Sequence, residues 1–140
     1  EHRIEFVRNL KGVPYYNDSK ATNTDSAIKA LEAFDGHIVL IAGGDDKLTD
    51  LTEFMALVRA CVDTLILVGA AAERFAAAAA DAGMEAAQIH HADMEAAVRA
   101  AYRLAAPPQT VLLSPACASF DMYSGYEERG RDFKRIVNGL

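Results

Sequence analysis

The sequence predicts a Rossmann-like three-layer α/β domain, with a mostly parallel six-stranded sheet and one antiparallel edge strand. Three observations predict it. Continuous apolar runs at 37–43, 64–69 and 110–114 read as strands covered by helices on both faces. Segments of helical period separate the later strands. Two strand-like runs at the start are joined by only "LKG", which suits a hairpin.

Taken in order, the strand-like runs are "IEFVRN" (4–9), "VPYYN" (13–17), "HIVLIAG" (37–43), "TLILVG" (64–69), "AQIHH" (87–91) and "TVLLS" (110–114). Helix-period segments fall at about 24–34, 50–61, 71–82, 93–105 and 126–138. Thr24 or Asp25, Asp50 and Asp93 stand where N-caps belong. The alanine-rich stretch at 71–83 reads as an ordinary helix packed closely on the sheet, with Gly83 suited to its C-terminal end.

Composition narrows the function. The 140 residues suffice for one domain with a single core. Apolar residues are 51% and charged residues 24%, as in a globular chain. A net charge of −6 argues against a general nucleic-acid or anionic-membrane surface, so any anion site must be built from a few local cations. No apolar run approaches the ~18 residues of a membrane span, and "EHRIEFVRN" carries no signal-peptide core. Two cysteines, Cys61 and Cys117, make no disulfide framework, so a cytoplasmic setting is expected. No metal-ligand spacing is present, and His90 and His91 would point to opposite faces of a strand.

In open α/β sheets, ligands bind beyond the carboxyl ends of the strands. "NDSKATN", "GGDDK" and "SPACAS" follow the strands at 13–17, 37–43 and 110–114, so all three emerge at one edge. Lys20 and Lys47 each lie between a strand and a helix. They are either solvated surface lysines or, with nearby helix N-termini, an anion site. Asn17, Asp18, Ser19, Thr22 and Asn23 exceed what capping one helix requires. Gly43–Gly44 is a turn that also lets a ligand approach the backbone. Ser114 and Ser119 read as hydrogen-bond donors, whereas no motif ties a histidine to Cys117 as a nucleophile. "YEERG" (126–130) starts the last helix, whose free N–H groups can receive an anion. Neither GxGxxG nor GxxxxGK[ST] occurs, which argues against a dinucleotide fold and excludes a P-loop within these residues.

The motifs "NDSKATN", "GGDDK" and "SPACASFDMYSGYEERG" resemble, in order and spacing, the C-terminal domain of the Mur ligases, over essentially all 140 residues. The resemblance implies that residues 1–140 are the amino-acid-binding domain of a larger ATP-dependent, amide-forming ligase. The UDP-sugar domain and the central domain that holds ATP and Mg would lie outside this chain. It further implies D-glutamate as the amino acid, UDP-N-acetylmuramoyl-L-alanine as the acceptor, an acyl phosphate intermediate, and an isolated domain without activity. By the same resemblance Lys47, Thr22 and Ser119 would hold the glutamate carboxylates with the backbone at Tyr126. Lys20 would steady anionic intermediates at the reacting centre, as the catalytic cation. Arg3 and Asp18 would touch ATP, Asp18 at the ribose and Arg3 at the phosphates. Asp46 departs from the small residue common in the family and puts negative charge beside Lys47. The expected form is a cytoplasmic monomer without nucleic-acid or membrane partners. The alternative is a stand-alone Rossmann-like module that binds a nucleotide or small acid without catalysis.

Overall fold

The computed structural model describes residues 1–84 and 87–140. Its strands are β1 (Glu5–Leu10), β2 (Val13–Asn17), β3 (Ile38–Gly43), β4 (Val62–Val68), β5 (Gln88–His90) and β6 (Thr110–Leu113). Its helices are α1 (Thr24–Glu32), α2 (Thr52–Cys61), α3 (Ala72–Asp81), α4 (Met94–Leu104) and α5 (Tyr126–Asn138). The sheet order is β1-β2-β6-β3-β4-β5. Only β1 runs antiparallel to its neighbour; the other pairings are parallel. The predicted fold class is the observed one.

Alternation along the strands builds two cores. From β3, Ile38, Leu40 and Ala42 face one core while Val39 and Ile41 face the other. β4 and β6 divide likewise, with Leu65, Leu67 and Leu112 on the first side and Ile66, Val68, Val111 and Leu113 on the second. The first core takes the apolar stripes of α1, α2 and α3, including Leu31, Phe54, Val58 and Phe75. The second takes those of α4 and α5, including Val98, Phe133 and Val137. This is why the central strands read as unbroken apolar runs.

The hairpin turn has φ of 53° at Lys11 and 84° at Gly12, the paired positive values that match the twist of two-residue turns. Several boundaries differ from expectation by a residue or two, and three of the differences have a visible cause. Asn23, rather than Thr24 or Asp25, caps α1, accepting from the Ser26 N–H at 2.9 Å. Leu51 occupies the α2 cap position, and Asp50 one residue earlier accepts from the Thr52 N–H and hydroxyl. β4 starts at Val62, directly after α2, because Val62 is buried in the first core before the strand turns outward at Asp63. Asp93 caps α4 as predicted, accepting from the Ala96 N–H at 2.8 Å. Among the described residues no helix is long and apolar enough to cross a membrane.

The order of strands places the site. Chain progress runs β3, β4, β5 in one direction, then returns to insert β6 between β2 and β3. The connection leaving β3 leads to α2 on one face, and that leaving β6 leads to α5 on the other. Their divergence is a topological switch point, where such sheets open a crevice.

Candidate active site at the ends of strands β2, β3 and β6

Three loops meet at this crevice and are stitched by backbone hydrogen bonds. The Asp18 N–H donates to the Leu113 carbonyl at 2.8 Å, Gly43 N–H to Pro115 at 2.9 Å, and Asp45 N–H to Ala118 at 2.8 Å. Lys47 and Ser119 therefore extend from one bonded frame, two residues beyond Asp45 and one beyond Ala118.

The loop after β2 is divided between building and presenting groups. Asn17, Asp18 and Ser19 are fully buried. The Asn17 amide donates to the Glu5 carboxylate and to His2 Nδ1, both at 2.9 Å, while its oxygen accepts from the Ser19 N–H. The Ser19 hydroxyl donates to the Tyr126 carbonyl at 2.7 Å. Asn17 and Ser19, grouped with the ligand candidates in the sequence, are thus spent on the fold. Lys20 is exposed and Thr22 half-buried, and neither side chain has a partner among the described residues.

Asp18 anchors the N-terminal segment. It accepts from the Ile4 N–H at 3.1 Å and from the Ser114 hydroxyl at 2.7 Å, so Ser114 is a donor as read from sequence. This holds Arg3 beside the site, exposed and unpartnered among the described residues. Burial pushes the Asp18 carboxyl above the usual carboxylate range, against the lowering effect of those two bonds and of Arg3. A folded value above the unfolded one means that this group's stabilising contribution is full below the unfolded pKa and is lost as pH rises through the folded one. Asp18→Asn keeps the Ile4 bond, can reverse the Ser114 one so that the amide donates to the hydroxyl, and removes the titration. Its melting temperature is expected to gain on wild type as pH is raised from about 4 to about 8. A gap that is flat with pH or that closes would contradict this.

The loop after β3 resolves the charge placed beside Lys47. Arg74 from α3 takes the Asp46 carboxylate with one nitrogen against both oxygens, each at 3.0 Å, and also reaches the Thr49 carbonyl. Asp46 is thereby engaged away from Lys47, which is exposed and unpartnered among the described residues. Ser119, in the loop after β6, is 2% exposed, and its hydroxyl is buried without a hydrogen-bond partner. Such a group costs about 1–3 kcal/mol unless something satisfies it. No side chain caps α5 at Gly125, which leaves the helix start at Tyr126 open to an acceptor. Burial pushes the Cys117 thiol up to about 12, which disfavours a thiolate nucleophile at neutral pH.

Sequence reasoning missed two other groups. Arg129 is buried and bonds both the β2 and β6 loops. Its signal was its spacing: Arg129, Phe133, Ile136 and Val137 follow i, i+4, i+7 and i+8. His2, also buried, lies against Asn17 and the edge of Tyr126. Glu1, His2 and Glu5 bring ligand atoms within 4.8 Å of one another. They do not make a metal centre, because Lys134 bridges the two carboxylates. Moreover, the Asn17 amide donates to Nδ1, so the neutral ring carries its proton on Nε2. A groove of about 390 Å³ between α2 and α3, lined by Leu51, Met55, Arg74 and Ala78, lies beside these loops. The unpartnered cations and hydroxyl lie at the strand ends instead.

At the switch-point crevice this α/β domain brings together, among the described residues, two exposed lysines without partners, a buried hydroxyl without a partner and a helix start without a side-chain cap. The profile described as Mur ligase, glutamate ligase domain, matches residues 2–117, and the chain belongs to that family. It is 48% identical over its whole length to the UDP-N-acetylmuramoylalanine--D-glutamate ligase of Clostridioides difficile and 51% identical to that of Symbiobacterium thermophilum. In both comparisons it spans 31% of the relative's length. Among solved structures it superposes on a murein peptide ligase from Psychrobacter arcticus with a TM-score of 0.65 at 9% identity, covering 100% of this chain and 30% of that one. The UDP-N-acetylmuramate-alanine ligase of Thermotoga maritima gives 0.63 at 13% identity, covering 99% and 30%. Those two likenesses show the fold.

Proposed function

We propose that this chain is the D-glutamate-binding, C-terminal domain of an ATP-dependent ligase that joins D-glutamate to UDP-N-acetylmuramoyl-L-alanine in the cytoplasm. The observation that carries the reading is the buried, unpartnered Ser119 hydroxyl on the same bonded frame as the unpartnered Lys47. A dicarboxylate supplies acceptors for both, and charge-assisted bonds to Lys47 give the larger share of the binding energy. Thr22 adds a neutral donor, and the Tyr126 backbone completes the site.

Lys20, exposed on the loop that also carries Thr22, supplies positive charge where the acyl phosphate and the tetrahedral intermediate are anionic. Arg3 is free to meet the ATP phosphates. Asp18 would have to be uncovered to meet the ribose; in this structure it holds Arg3's segment in place. The residues present fit the nucleotide's outer edge but include no P-loop, so ATP and Mg would be held chiefly by a further domain. The matched relatives, about three times as long, have room for it.

The test separates binding from catalysis. The 140-residue chain has two apolar cores of its own and is expected to give a well-dispersed NMR spectrum. D-glutamate should bind it in the millimolar range or more weakly, because a small ligand with two carboxylates must shed much water for half a site. No phosphate should be released from ATP with any substrate mixture. Joining the domain to the remainder of the ligase should restore turnover, since amide formation needs both reactants held in line. Ligation by the chain alone would overturn this division of labour.

A further inference from the structure

Arg129 is 3% exposed, and its guanidinium forms no ion pair among the described residues. Nε donates to the Ser19 hydroxyl at 2.9 Å, Nη2 to the Ser19 carbonyl at 2.7 Å and Nη1 to the Cys117 carbonyl at 3.0 Å. Nη1 also lies 3.4 Å from where a Cβ on Gly44 would stand. One side chain thus bonds two loops of the site and stands close to the third. The Ser19 hydroxyl passes the link on to the Tyr126 carbonyl. Burying a guanidinium without a carboxylate is costly, and burial lowers its pKa to about 10. An apolar side chain would fill the volume without that cost, and would leave the loops untied.

We propose that Arg129 is the positioning residue of the glutamate site: it locks the loop bearing Lys20 and Thr22 against the loop bearing Ser119. The proposal rests on the D-glutamate reading above. It predicts a selective defect, because the nucleotide side is held independently. Asp18 is fixed by Leu113, Ser114 and Ile4, and none of those bonds passes through Arg129.

The test uses the longer ligase that contains the domain, with four variants. Arg129→Met should raise the KM for D-glutamate about ten- to hundredfold, as misplacement of binding groups does. The KM for ATP should stay within about twofold. Arg129→Lys, which can still reach carbonyls but lacks the fork, should fall between Arg129→Met and wild type. Val137→Ala, in the buried face of the same helix, should lower the melting temperature and leave both KM values unchanged. Lys47→Ala should impair D-glutamate use. If Arg129→Met does not fold, Arg129→Lys carries the comparison. Parallel rises in both KM values, or a D-glutamate defect equally produced by Val137→Ala, would reduce Arg129 to a packing role and overturn the proposal. If Lys47→Ala also leaves D-glutamate use intact, the glutamate reading itself is at fault.

Discussion

Gly43→Ala is expected to destabilise the domain by at least about 3 kcal/mol, or to prevent folding. Gly43 closes β3 at φ 110°, a region that L residues rarely adopt. Its N–H donates to Pro115, so the backbone cannot rotate to a commoner geometry without breaking the link to the β6 loop. A Cβ there would overlap the Val68 carbonyl oxygen, which belongs to the paired strand β4 and cannot swing aside as a side-chain tip can. Strain and overlap add, and together they consume much of the 5–15 kcal/mol that holds a domain of this size. Gly125→Ala is the matched control. Its φ of 179° is extended backbone open to any residue, and the nearest atom to a new Cβ is the flexible tip of Glu127 at 3.1 Å. Urea denaturation of both variants would decide: a loss below about 1 kcal/mol for Gly43→Ala would refute the close-approach account.

The turn at Gly43–Gly44 shows what was legible in the sequence. Its glycines stood after the five-residue apolar run Ile38–Ala42, and the combination marked a strand end where backbones approach closely. The layers were legible for the same reason. β3, β4 and β6 bury both faces, and a strand buried on both faces has no polar alternation to hide it. α5 was read to its bounds because "SGYEERG" breaks the preceding loop and Gly139 ends the helical period. The α2–β4 junction was not legible, since Val62 continues the apolar pattern of the helix before it. Polarity in the loop after β2 was legible, its direction was not. "NDSKATN" shows six polar residues among its seven, but only tertiary contacts with His2, Ile4, Ser114 and Tyr126 turn Asn17, Asp18 and Ser19 inward. Arg129 was hidden by its neighbours: in "YEERGRD" a lone buried charge looks like one more member of a solvated face.

Lys47→Ala is expected to cost about 1.5–3 kcal/mol in D-glutamate use, a loss of roughly ten- to 150-fold in kcat/KM. The size follows from what surrounds the lysine. Arg74 holds Asp46 at 3.0 Å, so the ammonium is not neutralised by its sequence neighbour, and no other partner is present among the described residues. A carboxylate arriving at Ser119 would therefore meet a cation that breaks no internal pair in order to bind it. Arg74→Met tests this step directly. Releasing Asp46 gives Lys47 a competing carboxylate one residue away, and D-glutamate use should fall in the same direction but by less than for Lys47→Ala. Raising the salt concentration should narrow the difference between wild type and Lys47→Ala, since added ions screen the lysine's attraction for the substrate. The ATP dependence should be little changed in either variant, because Lys47 stands on the β3 loop, whereas Arg3 is held at the far side of the β2 loop through Ile4 and Asp18. Kinetics of the longer ligase at varied D-glutamate and saturating ATP give all of these quantities. An unchanged kcat/KM for D-glutamate in Lys47→Ala would remove Lys47 from the site, and the unpartnered ammonium would then be a solvated surface charge.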